Sequence, residues 1–197
     1  MKLIFTGILT AALVLSGCTP STSTAQPAGL NEYYPLDTRT GIRDVDNVLA
    51  AVASGNPREL YALINYLVAP CTTADGLGGP PKCTEGEPEG TQLEVLPFIG
   101  TEGSFIRKNE IGNWQGIDVV GLYAVYRVSE TALNEEYYPP GEYMILFVPR
   151  ENEPAVDLRV GSGGIVRVNY HFDVFPESLQ TIIVRDSSEV ILAPKSR

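Results

Sequence analysis

The chain has 197 residues, is 44% hydrophobic and 19% charged, and carries 24 Asp+Glu against 14 Lys+Arg for a formal net charge of −10. That acidic balance argues against nonspecific binding to nucleic acid or anionic lipid, which needs a surplus of Lys and Arg. The length suits one domain, or one domain with an appendage, and no Walker loop, G-x-S-x-G, H-E-x-x-H or dinucleotide fingerprint marks a familiar catalytic centre.

Residues 1–17 begin with a positive end at Lys2, run apolar from Leu3 to Leu15 and finish in small residues, the layout of a secretory signal peptide. The apolar run is shorter than the roughly 20 residues a helix needs to cross a bilayer. Leu15-Ser16-Gly17-Cys18 resembles the lipobox of bacterial lipoproteins. The resemblance implies cleavage before Cys18, a diacylglyceryl group on its sulfur, and an extracytoplasmic protein whose partner is the lipid bilayer. Buried acyl chains contribute about 0.8 kcal/mol per CH₂, and two or more give stable anchoring. Lys2 is the only charge before Cys18, so the mature chain would keep thirteen basic residues against 24 acidic ones. From Cys18 to residue 30 the sequence is uncharged and rich in Thr, Ser, Pro and Ala. It lacks the large apolar groups that would offset its ordering entropy, so it reads as a flexible tether. Residues 31–197 are expected to form a single α+β domain.

Over residues 42–54, Ile42, Val45, Val48, Leu49 and Val52 form one helical stripe, and Gly55 suits the end of that helix. A second helix is expected from Asn56, an N-cap followed by Pro57 and by Glu59 three residues on. Leu60, Leu63, Ile64 and Leu67 would carry its stripe and Pro70 would stop it. The two would form a tight helical hairpin.

Cys71 and Cys83 enclose a loop rich in Gly and Pro. A zinc site takes four N or S ligands, and the chain has one histidine, His171. A redox pair would be C-x-x-C, and a cysteine nucleophile would need a base that only His171 could supply. In an exported protein with Cys18 lipidated, a structural disulfide between Cys71 and Cys83 is expected. Asp75, Glu85, Glu87 and Glu89 in and after the loop offer oxygen ligands of the kind calcium takes, without the spacing of a calcium hand. Solvated acidic loops are the commoner case, and no metal or other cofactor is expected.

Strands are expected at 91–96, 119–128, 142–148, 155–160 and 165–172, with the glycine-rich 161–164 as a hairpin turn. Residues 104–114 read as a short helix or an irregular crossing, and the tail from 173 is not assigned. By strand parity Ile165, Arg167, Asn169 and His171 share one face. That mixed face is either a pocket wall or a solvated outer surface, the latter being the commoner arrangement. As a pocket wall, Arg159 and Arg167 beside His171 would bind a carboxylate or phosphate by charge-assisted hydrogen bonds. Trp114 reads as core or as a lid over it, with ligand or protein contact as its functional alternative.

The amphipathic pattern of 42–67, the strands over 91–172 and the glycine hairpin of 159–173 resemble the nuclear-transport-factor-like superfamily, which includes ketosteroid-isomerase-like and SnoaL-like domains. The resemblance implies a helical hairpin packed on a curved, cone-like antiparallel sheet, here with a disulfide-closed loop inserted. Such domains serve as enzymes, binding modules or assembly units. No motif maps an isomerase-type acid–base set onto this chain, and no catalytic residue is assigned. The function expected is a membrane-anchored envelope module that binds a small molecule or an envelope protein without catalysis. The alternatives are a ketosteroid-isomerase-like enzyme on a small apolar substrate, or a structural part of an envelope complex.

Overall fold

The computed structural model describes residues 33–195. The expected signal segment 1–17, Cys18 and the tether to residue 30 lie outside the described residues. The expected stripe of 42–54 forms helix α1 (Arg43–Ser54), whose Val45, Val48, Leu49, Ala51 and Val52 are buried. Its entry is fastened by Asp46, whose carboxylate accepts from Thr40 N (2.7 Å), Thr40 Oγ1 (2.9 Å) and Gly41 N (3.0 Å). It ends at Gly55, whose φ of 66° places it in the left-handed region, open to glycine without a Cβ penalty. Helix α2 (Pro57–Tyr61) starts as the sequence indicates, with Asn56 Oδ1 accepting from Arg58 N at 3.1 Å.

The expected extension of α2 to Leu67 does not occur. After Tyr61 the chain turns away and meets the sheet: Asn65 N donates to Ile165 O at 2.8 Å and Ile165 N donates to Leu63 O at 2.7 Å. Leu67–Pro70 is strand β1. Backbone pairing with the sheet outweighs a helical periodicity that has too few residues to be stable alone. The close approach needs a glycine. A Cβ on Gly164, whose φ is 138°, would overlap the Leu63 carbonyl.

The remaining elements are β2 (Gln92–Ile99), β3 (Gly103–Arg107), a 3-10 helix (Lys108–Asn113), β4 (Val119–Val128), β5 (Tyr143–Pro149), β6 (Ala155–Gly161), β7 (Gly164–His171), α3 (Glu177–Asp186) and β8 (Ser187–Leu192). The eight strands of the described residues form one sheet in the order β1-β2-β7-β6-β5-β4-β8, with β3 on β2. The antiparallel sheet expected is a mixed one, because β2 and β7 pair in parallel through Phe98 with Val168 and Ile99 with Asn169. The undecided segment 104–114 divides into a strand and a 3-10 helix. The unassigned tail becomes α3 and an edge strand paired to β4.

Two apolar layers flank the sheet. On one side α1 and Leu60 pack on Leu96, Leu122, Val125, Ile145, Phe147, Leu158 and Val168. On the other, Leu179, Ile182 and Ile183 of α3 pack against Ala124, Tyr126, Met144, Leu146 and Ala155. This explains the near-continuous apolar run of β5: alternate residues enter different cores, as in strands covered on both faces. Cys71 and Cys83 form a disulfide, with 4.9 Å between their Cα atoms. Their loop is fastened to β3 by Arg107, which donates to Glu87 at 2.7 and 3.1 Å and to Lys82 O at 2.9 Å. Among the described residues no helix is long and apolar enough to cross a membrane.

Candidate functional site

The mixed face of β7 is not a solvated outer surface. The end of α3 reaches it through Asp186 on Arg159, the segment between β4 and β5 reaches it through the Leu133 and Tyr138 carbonyls on Arg167, and Arg159, Arg167 and Asn169 are 0%, 1% and 4% exposed. Strands β6 and β7 set the arrangement by register: Asp157 stands opposite Asn169, Arg159 opposite Arg167, and Ala155 opposite His171. One member of the expected set leaves it. The register shifts between Arg159 and Val160, so the residues beyond it change sides and Ile165 enters the α1 core with Val168, as a bulge requires.

Asp157 is the hub. It is fully buried, and its carboxylate accepts from Arg159 Nε (2.7 Å), from Asn169 Nδ2 (3.0 Å to each oxygen) and from His171 Nε2 (2.8 Å). Burial by itself raises the pKa of this acid. The Arg159 charge and the His171 hydrogen bond overcome that and hold it well below the usual aspartate range. Arg159 also donates through Nη2 to Asp186 Oδ2 at 2.6 Å. Asp186, the last residue of α3, is gripped by Arg185 Nε and Nη2 as well. The two acids therefore tie α3 to the sheet through Arg159.

Arg167 is differently placed. Its Nη1 donates to Tyr138 O at 2.8 Å and Leu133 O at 3.4 Å, and none of the ion pairs among the described residues includes it. Burial, then the neighbouring Arg159 charge, lower its pKa to about 10 despite Asp157 and Asp186. Arg159 Nη1, Arg167 Nε and Asn169 Oδ1 are buried with no hydrogen-bond partner. These residues line a cavity of about 190 Å³ together with Ile99, Gly100, Leu133, Tyr170, His171, Ile182 and Arg185.

Arg159, Arg167 and His171 are thus brought together, and Trp114 is not among them. Trp114 sits in the α1 core, edge-on to Phe98 with ring centres 5.5 Å apart, and its Nε1 donates to Tyr170 Oη at 3.0 Å. It is core, and its neighbour Tyr61 donates to its carbonyl. Asp157, Asp186 and Arg185 escaped the sequence reading. An acid two residues before Arg159, on the same face of a strand whose other side chains are apolar, is the signal in the sequence for Asp157, whereas Asp186 and Arg185 come to the site only through α3.

Among the described residues Asp75, Glu85, Glu87 and Glu89 are not brought together with ligand-like spacing. Glu87 is taken by Arg107, and Glu89 accepts from Thr72 and Thr73 at 3.1 and 2.7 Å. Among the described residues the one grouping with ligand-like spacing is Cys71, Cys83 and Glu87, and both sulfurs are held in the disulfide. Compared with known protein families, curated proteins and solved structures, the chain finds no match.

Proposed function

We propose that this protein is a cell-envelope lipoprotein, anchored through Cys18, whose domain is a non-enzymatic module that binds a small molecule in the cavity under α3. The observation that carries the binding reading is that cavity: Arg159, Arg167 and Asn169 are among its lining residues, and each carries a buried polar atom with no protein partner. Buried polar groups are nearly always satisfied, so unpartnered ones beside an opening are where a ligand gains most.

Two features favour binding over catalysis. No Ser, Thr or Cys is among the residues lining the cavity, so the hydroxyl and thiol nucleophiles of those residues are not offered there. On the opposite face, where an isomerase of the resembling superfamily would hold its substrate, α1 and the sheet meet through apolar and aromatic side chains. The cone-like form of that superfamily, with α1 and α2 as its helical hairpin, belongs to the same proposal. It is supported by the packing of α1 on strands β6 and β7.

The anchor and the binding are tested separately. Cell fractionation should find the protein in the membrane fraction and the Cys18→Ser variant released from it or retained as unprocessed precursor. Identical fractionation and an identical N-terminal mass for both would refute lipidation. A fragment screen by ligand-observed NMR should give binders of the wild-type protein that an Ile182→Trp variant, with the cavity filled, no longer binds. Binders indifferent to that change, or none at all, would count against the cavity as the site.

A further inference from the structure

Arg159 and Arg167 face each other directly across β6 and β7. Like charges opposite one another on antiparallel strands repel, and here neither side chain reaches water. Arg159 has Asp157 and Asp186 as counter-ions, whereas Arg167 has only two carbonyl oxygens. A buried charge without a counter-ion is strongly unfavourable. Arg159 and Arg167 balance Asp157 and Asp186 in the interior, and Arg185, whose side chain is 54% exposed, adds one positive charge among the residues lining the cavity.

We propose that the cavity under α3 is a carboxylate-binding site, in which the ligand's carboxylate is held by the guanidinium charge of Arg167 and Arg159 and its short apolar remainder lies against Leu133 and Ile182. The proposal rests on the binding-module reading of the same cavity and names its ligand class. One surplus charge matches a monoanion, and Asp157 and Asp186 repel a dianion such as phosphate. The planar guanidinium edge fits a carboxylate in its own plane. A volume of about 190 Å³ is below the roughly 300–1,000 Å³ of sites for drug-sized ligands. It therefore admits a short acid, or the carboxylate end of a longer chain.

Thermal unfolding of the full-length protein in detergent, at pH 7 and constant ionic strength, tests this with defined probes. Propionate represents a free acid, N-acetyl-dialanine a chain-terminal carboxylate, propionamide an uncharged isostere, and inorganic phosphate the competing anion. The expected result is a saturable rise in Tm with at least one carboxylate and none with propionamide. In Arg167→Gln the apparent Kd should weaken by at least tenfold, with far-UV circular dichroism confirming that the variant is folded. Because the comparison of propionate with propionamide uses the wild-type protein, the proposal stays exposed even if that variant fails to fold. No saturable effect of either carboxylate overturns it, as does stabilisation by phosphate alone. Equal stabilisation by propionate and propionamide, lost in Ile182→Trp, overturns the carboxylate assignment and leaves the cavity as a site for uncharged ligands. No effect of any probe, together with an empty fragment screen, overturns both.

Discussion

Replacing Asp157 by Ala removes the acceptor shared by Arg159 Nε, Asn169 Nδ2 and His171 Nε2 in a position with no access to water. Deleting one partner of a buried ion pair costs about 3–5 kcal/mol, because the remaining charge is left uncompensated. Asp186 still holds Arg159 Nη2, so the expected loss is near the lower end, about 3 kcal/mol. For a domain of this size each kcal/mol shifts Tm by roughly 2–4 °C, so a fall of roughly 6–12 °C is expected. Equilibrium urea unfolding of wild type and Asp157→Ala, followed by tryptophan fluorescence and circular dichroism, measures the loss. Trp114 lies in the core on the other side of the sheet, so coincident transitions by both probes would show that the domain unfolds as one unit. A loss below about 1 kcal/mol, the scale of an exposed pair, would mean that water reaches the carboxylate and that α3 does not close over it.

The remaining predictions concern pH, the disulfide and one glycine. Asp157 has a folded pKa below its unfolded value, so its contribution is complete above about pH 3.9, the ordinary aspartate pKa, and declines as pH falls toward the folded value. Tm should therefore fall more steeply below about pH 4 in wild type than in Asp157→Ala, and parallel acid limbs would contradict the linkage. Cleaving Cys71–Cys83, or making the Cys71→Ser/Cys83→Ser variant, should cost about 3 kcal/mol, the chain-entropy value for a loop of this size, as read from the urea midpoint. An unchanged midpoint would mean that the Arg107 contacts alone hold the loop. Gly164→Ala should lose more than about 1 kcal/mol by thermal melt, since its φ disfavours a side chain and its Cβ would meet the Leu63 backbone. Wild-type stability in that variant would show that residues 63–65 do not bridge β7.

The local signals were strong enough to place several elements. The stripe of α1 with its glycine stop, the cap at Asn56, five strands and the glycine hairpin all follow from side-chain periodicity and turn chemistry, which act over a few residues. The pairing of Cys71 with Cys83 was expected from export and from the absence of other ligands. Arg167 and His171 stand out because parity within one strand puts them on one face, with Arg159 on the strand across the glycine hairpin.

Other features depended on contacts between residues distant in sequence. Residues 62–67 carry an apolar spacing that a helix would accept, but pairing with β7 and β2 turns them into a bridge and a strand. The parallel contact of β2 with β7 closes a separation of about 70 residues and leaves no local trace. Above all, parity alone left the polar face of β7 either solvated or buried. Two distant segments decided it: α3 folds back and brings Asp186 to Arg159, the segment between β4 and β5 brings the Leu133 and Tyr138 carbonyls to Arg167, and a charged strip becomes a buried network beside a cavity. The sequence by itself determined that Arg167, Asn169 and His171 share a face, because alternation is set by backbone geometry, while the register shift that moved Ile165 to the other side came with the strand pairing. Whether that face meets water was decided only by the tertiary structure, because burial depends on what a distant segment covers.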